Sequence, residues 1–220
     1  MACAGVLLEP TDATALHYRH LATQMARTMK SKSVEDVLLD RARGHVVSKF
    51  DPVGGGVHCS LGGGAHDFIV TSTLASQGPP AVGRAIGAGL ARHLGVETPF
   101  PRNFVSFVSC GDGSVNNAHM LAAVNTAEYA RFRSFKCPTV FCVTDNDICI
   151  SLRGHGWLTK GWLKKLRMPL FECDGTNMAD VWKTTAGECK QHDTPHCRCR
   201  CRPCALPPPT PRCNGLGNTR

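Results

Sequence analysis

The sequence predicts an α/β fold, a parallel sheet with helices on both faces. Two short apolar runs, Asn103 to Cys110 (NFVSFVSC) and Thr139 to Thr144 (TVFCVT), have the length and content of buried strands. Each stops at a tight polar turn, Gly111-Asp112-Gly113 after the first and Asp145-Asn146-Asp147 after the second. A helical pattern, Asn116 to about Arg131, lies between them, and another follows a third short run, Leu170 to Cys173. Strand, helix, strand, helix in this rhythm implies crossover connections, and those join parallel strands.

The elements follow in chain order. Glu9-Pro10-Thr11-Asp12 is the first turn signal. Leu21, Met25 and Met29 recur on one helix face and predict a helix over 21–29. Ser33-Val34-Glu35-Asp36 has the form of a capping box and opens a second helix, Val34 to about Arg41. Residues 54–64 form a glycine-rich loop containing His58. A helix from about Pro80 to Leu94 is rich in small residues. Gly83, Gly87 and Gly89 weaken it, which makes sense where another backbone packs closely. The third strand ends in Asp174-Gly175 and feeds a helix from Met178 to Lys190. From His196 onward the chain is dense in Pro, Arg and Cys, without helical or strand period, and is predicted to be disordered. This divides the chain into a folded domain over 1–195 and a tail over 196–220, with no internal repeat.

Bulk properties narrow the function classes. The formal charge is +8, but the tail holds five arginines and no acidic residue, so it alone supplies +5. The rest is close to balanced, which argues against a nucleic-acid partner. No apolar stretch is long enough for a membrane span, and no membrane partner is expected. Eight of the 13 cysteines are scattered through the body, several in apolar runs, as in a reducing compartment. The start, MACAGVLLEP, carries no visible targeting segment.

The chemistry concentrates at the two strand ends. In open α/β sheets ligands bind beyond the carboxyl ends of the strands. Asp112 stands at one end and Asn146 at the next. A carboxylate, an amide oxygen and a backbone carbonyl are hard oxygen ligands that suit magnesium. Gly111 and Gly113 would let the backbone approach a phosphate, and the helix beginning near Asn116 offers free N–H groups. Together these make a site for a magnesium diphosphate. A Gly-Asp-Gly turn with no ligand reads the same way. Four cysteines, Cys197, Cys199, Cys201 and Cys204, lie beside His196, but they form one tight run without the second ligand pair that zinc sites usually have.

The segment GDGSVNNAHMLAAVNTAEYARF…CPTVFCVTDND resembles the cofactor motif of the alpha chain of thiamine-diphosphate-dependent 2-oxo acid dehydrogenases. The resemblance implies a thiamine-diphosphate-binding fold. It implies Mg2+ held by the side chains of Asp112 and Asn146 and the carbonyl of Ile148, with Gly111, Gly113 and Ser114 against the diphosphate. Three more segments match in family order. PTDATALHYRH resembles the segment whose Tyr-Arg pair holds the diphosphate, giving Tyr18 and Arg19 that place. GGGVHCSLGG resembles a glycine-rich segment with an active-site histidine, here His58; a structural histidine is the alternative. TSTLASQGPPAVGRAIG resembles the segment touching the aminopyrimidine ring through its backbone, where Ser72 and Leu74 fall. Ile150 takes the place of the apolar prop that keeps the cofactor bent. The resemblance covers about Glu9 to Lys190. Two departures stand out: an Asp-to-Asn interval about five residues longer than usual, mostly at Arg131 to Lys136, and Asp145 in place of the first Asn of a pair.

By the same resemblance the domain is partial, cut short at both ends and incomplete at the C-terminal edge of its sheet. The family's later strand and its histidine-bearing loop find no match, and the tail reads like out-of-frame sequence. The expected partners are a beta chain, or a fused beta half, and a lipoyl-bearing acyltransferase. The expected location is the mitochondrial matrix or the cytoplasm. The expected reaction is oxidative decarboxylation of a 2-oxo acid with acyl transfer to lipoamide, the isolated chain being inactive. The alternatives are a non-catalytic remnant that keeps the fold, and another thiamine enzyme such as a transketolase relative, against which the Tyr18-Arg19 and His58 segments argue. A nicotinamide-binding fold is disfavoured, since no Gly-x-Gly-x-x-Gly follows a strand.

Overall fold

The computed structural model describes residues 1–46, 66–68, 73–149, 152–190 and 197–202. His58, Ser72 and Ile150 lie outside the described residues. Helix α1 spans Ala2–Leu7, strand β1 Ala13–Ala15, helix α2 Leu21–Thr28 and helix α3 Val34–Val46. Helix α4 is Gly78–His93, strand β2 Ser106–Gly111, helix α5 Ala118–Phe132 and strand β3 Thr139–Thr144. Strand β4 is Leu170–Asp174, helix α6 Met178–Lys190 and strand β5 Cys197–Arg202. The strands form one sheet in the order β1-β2-β3-β5-β4, and every neighbouring pair is parallel. Among the described residues no helix is long and apolar enough to cross a membrane.

The strand register explains why both faces carry helices. Val108 pairs with Phe141 and Cys110 with Val143, and all four sit in one core cluster with Ala81, Val82 and Ala85 of α4 and Met120, Ala123 and Ala127 of α5. The alternate residues Phe107 and Cys142 pack on the other face with Ala4 and Leu8, at and just after α1, and with Leu16. Further along the sheet Cys173 of β4 and Val181 of α6 cluster with Cys3 of α1. Side chains alternate across a strand, so continuous apolar runs such as TVFCVT require cover on both sides.

Local chemistry sets the helix boundaries. Ser33 Oγ accepts the backbone N–H of Asp36 at 3.1 Å, the cap read from the sequence for α3. Asn117 Oδ1 accepts from His119 N at 2.9 Å and opens α5. Two prolines occupy the first turn of α4, where their missing N–H groups have no helical partner to lose. The expected close approach along α4 occurs at Gly89 alone of its three expected glycines, and Gly78, ahead of the predicted helix, adds a second. A Cβ on Gly78 would lie 3.0 Å from Ala123 Cβ, and one on Gly89 3.2 Å from the Lys136 carbonyl. Gly83 and Gly87 face nothing within 4 Å, so the expectation fails there.

The structure adds elements that the sequence reading did not contain. Helix α1 and strand β1 precede the first predicted helix. β1 is three residues long, too short to show a period. It is recognised by its ladder, Ala13 to Ala15 against Ser106 to Val108, and by Thr14 exchanging backbone hydrogen bonds with His66 and Phe68 on its other side. The tail was expected to be disordered, and at 197–202 that is corrected. CRCRCR forms β5 between β3 and β4. Its strict Cys/Arg alternation has the period of two that marks a strand.

A buried polar knot holds the N-terminal turn to the sheet. Asp12 accepts from Val105 N and Glu9 N, each at 2.7 Å. Arg27 pairs with Asp67 and donates to the carbonyls of Glu9, Pro10 and Asp12. With both side chains below 8% exposure, at 7% and 5%, this pair must be fully hydrogen-bonded to be tolerated.

Candidate functional site

The last registered pair of β2 and β3 is Gly111 with Thr144. The next residue on each strand is an aspartate, Asp112 and Asp145, and both are buried. Beyond β2 the backbone tightens into a 3-10 turn, Asp112–Asn116, with Ser114 buried inside it. Burial, followed by the carboxylate of Asp145, pushes the Asp112 carboxyl above its ordinary range; Asp147 adds to this, and hydrogen bonds from the backbone N–H groups of Gly113 and Asp112 oppose it.

The turn beyond β3 is a small hairpin. Asp145 Oδ1 accepts from Asp147 N and Asn146 Oδ1 from Ile148 N, both at 3.0 Å. Ile148 bridges Arg153, and Cys149 N donates to the Leu152 carbonyl. Asp147 has φ +57°, a conformation costly for most side chains, and its Oδ1 accepts from Gly156 N at 2.7 Å. A Cβ on Gly154 would lie 2.5 Å from that same oxygen. The two turns touch: a Cβ on Gly113 would lie 3.0 Å from Cys149 Sγ. Gly113 is thus bare because Cys149 packs on it. Gly111 faces open space, as a residue beside a bound phosphate would.

A divalent cation fits these residues. The carboxylates of Asp145 and Asp147 raise the Asp112 pKa, and a cation at the strand tips would relieve that repulsion. Among the described residues no group of three or more His, Cys, Asp or Glu side chains is arranged to hold a metal alone. Magnesium does not require such a cage, since one or two carboxylates, phosphate oxygens and water complete its shell. The Asn146 side chain is exposed, and its oxygen keeps a lone pair beyond the one given to Ile148.

Two further turns converge on β2. Tyr18 and Arg19 sit between His17 and His20. Tyr18 stacks on His17 with ring centroids 4.3 Å apart, and the exposed Arg19 lies 5.1 Å over the Tyr18 ring. His17 N donates to Ser109 Oγ at 3.0 Å, and His20 Nδ1 lies 2.8 Å from the same oxygen. Leu74, half-buried, precedes Ala75, which has φ +65°. That turn is fastened by Gln77 Nε2 donating to the Ser109 carbonyl at 2.9 Å. The turns that carry Tyr18, Arg19 and Leu74 are therefore anchored to β2 at Ser109, three residues before Asp112.

Ser109, His17, His20 and Gln77 were not singled out from the sequence. One signal was available: a serine inside an apolar strand must find a buried partner. Nothing local identifies that partner, 89 residues away in His20.

The family model described as the dehydrogenase E1 component matches residues 2–160, a span that includes both strand tips. A transketolase from Leishmania mexicana superposes with a TM-score of 0.59 at 17% identity, covering 91% of this chain and 29% of that one. A Mycobacterium smegmatis protein provisionally assigned as a thiamin diphosphate-dependent enzyme gives 0.48 at 17% identity, over 94% of this chain and 31% of that one. This chain spans less than a third of either protein. At such identity the transketolase likeness shows a shared fold. No curated protein matches the chain.

Proposed function

Since the chain belongs to the dehydrogenase E1 component family, we propose that it binds thiamine diphosphate and Mg2+ at the tips of β2 and β3 as part of a 2-oxo acid dehydrogenase. The observation that carries this is the Gly111–Thr144 register, which brings Asp112 and the Asp145-Asn146-Asp147 turn to neighbouring strand tips, where burial and Asp145 hold the Asp112 carboxyl above its ordinary range.

Each residue has a role in this reading. The side chains of Asp112 and Asn146 and the carbonyl of Ile148 hold the metal. Gly111, Gly113 and Ser114 present backbone to the diphosphate, and the Arg19 fork and Tyr18 close on it from the neighbouring turn. Leu74 meets the aminopyrimidine ring through its backbone. Ser72, Ile150 and the active-site candidate His58 take their roles from the resemblance alone. Bound thiamine diphosphate supplies the electron sink for decarboxylating a 2-oxo acid. The chain's own contribution is orientation and charge: it neutralises the diphosphate and excludes water from the buried side of Asp112.

The partners in this proposal are a beta chain, or a fused beta half, and a lipoyl-bearing acyltransferase, in the mitochondrial matrix or the cytoplasm. The test is turnover of several 2-oxo acids by the chain with a beta chain and a lipoyl acceptor. Thiamine-diphosphate-dependent acyl transfer is the expected result. Cofactor binding without turnover would instead make the chain a non-catalytic remnant, and two-carbon transfer between sugar phosphates would place it with the transketolases.

A further inference from the structure

Two histidines bracket the Tyr18-Arg19 turn, and neither has a place in the chemistry above. Both are buried at 8% exposure. His17 Nδ1 accepts the Arg19 backbone N–H at 3.2 Å, and His20 N donates to the His17 carbonyl at 2.9 Å, which closes the turn. The His20 ring then reaches both strands of the site. Its Nδ1 lies 2.8 Å from Ser109 Oγ on β2, and its Nε2 lies 3.5 Å from Thr144 Oγ1 on β3.

The hydrogens can be placed by elimination. Ser109 Oγ accepts from His17 N and meets His20 Nδ1 with either its second lone pair or its own hydrogen, so the direction is set from the other end of the ring. Thr144 Oγ1 donates to the Cys110 carbonyl at 3.3 Å, so towards His20 Nε2 it can only accept; a neutral ring with its hydrogen on Nε2 then accepts the Ser109 hydroxyl at Nδ1. The chain runs Ser109 to His20 to Thr144, each giving one hydrogen to the next, and ends on the Cys110 carbonyl, which accepts. It requires a neutral imidazole protonated on Nε2. Burial first, followed by His17, the N-terminus and Arg19, pulls the His20 pKa down to about 3 and keeps the ring neutral.

We propose that His20 is a positioning residue that fastens the Tyr18-Arg19 turn to the tips of β2 and β3, so that the diphosphate-binding arm and the metal-binding turns are held as one unit. Ser109 stands three residues before Asp112, and Thr144 two before Asn146. A ring bonded to both fixes the distance from Arg19 to the metal ligands. The inference rests on the proposed cofactor site and extends it to a residue that never touches the cofactor.

The test is titration of the full chain with thiamine diphosphate at fixed Mg2+, on wild type, His20→Leu, His20→Gln and Ser109→Ala, well below each melting temperature. His20→Leu is expected to weaken binding about tenfold, as loss of a buried hydrogen bond would. His20→Gln, with one acceptor and one donor at its tip, is expected to restore affinity to within about threefold of wild type. Should His20→Leu fail to fold, Ser109→Ala removes the same link at little change in volume and is expected to weaken binding severalfold. A purely structural role would lower the melting temperature and leave affinity alone. Coupling gives a second readout: Arg19→Ala should cost clearly less in the His20→Leu background than in wild type. Wild-type affinity in His20→Leu or Ser109→Ala, or full additivity with Arg19→Ala, overturns the inference while the cofactor site stands. Absence of magnesium-dependent binding in wild type itself overturns the cofactor site, and the inference with it.

Discussion

The side of the sheet under α4 and α5 and the side under α1 and α2 are made of different materials. Under α4 and α5 the cluster is almost wholly apolar, with Val82, Ala85, Val108, Val115, Ala123 and Ala127 fully buried, and Ser106 spends its hydroxyl on the Ala81 carbonyl. Under α1 and α2 the apolar patch is small, and Asp12, His17, His20, Thr23, Gln24, Arg27 and Ser109 are buried around it. An apolar face contributes stability through area and packing. A polar network adds little net stability but admits few geometries, because each donor must meet its acceptor. The candidate cofactor residues are reached from the polar side, through Ser109, His17 and His20. One face therefore keeps the domain folded, and the other keeps its site aligned.

Substitutions can break that contrast. The largest effect is expected on the apolar side. Phe141→Ala, at a residue 1% exposed, should cost about 3–5 kcal/mol in denaturant unfolding while folded protein keeps its cofactor affinity. On the polar side Asp67→Ala should cost about 3 kcal/mol or more, since it strands the buried Arg27 charge. Replacing both, as Arg27→Met with Asp67→Leu, should recover most of that loss. If the double variant is no better than the single one, the pair is a stabilising element in its own right and the contrast fails.

Acid should act through the polar side as well. The His20 pKa is depressed in the fold, so below the ordinary histidine value of 6.5 the unfolded chain takes up a proton that the folded chain refuses. Stability is intact above pH 6.5 and falls as pH drops towards 3, by about 1.4 kcal/mol per pH unit for this group. Thermal melts of wild type and His20→Gln from pH 7 to pH 5 check this, and the wild type should lose more. The smallest effect has the opposite sign. The raised pKa of Asp112 means that its charge is a burden without a cation, so Asp112→Asn should raise the melting temperature of the metal-free chain slightly.

The sequence was legible where a signal is local and continuous. The runs NFVSFVSC and TVFCVT announced β2 and β3, and the turns after them marked the strand tips without a structure. The 3-10 turn at Asp112–Asn116 and the start of α5 at Ala118 refine that reading by a few residues. Strand β1 was not legible, because three residues carry no period and its partners lie more than fifty positions away in the chain. β5 was misread for a different reason: composition suggested disorder, although the alternation in CRCRCR was in plain view. The histidine network was hidden because its partners come from segments some 90 and 124 residues apart. Periodicity reports which face a residue occupies, but not which distant side chain meets it there.

The proposed cofactor site requires Asp112 and the Asp145-Asn146-Asp147 turn to share one cation. Calorimetric titration of thiamine diphosphate, with and without Mg2+, on wild type and Asp112→Ala tests this directly. Binding that needs Mg2+ in wild type and vanishes in Asp112→Ala is the predicted result; binding indifferent to the metal, or unchanged by the substitution, would contradict it.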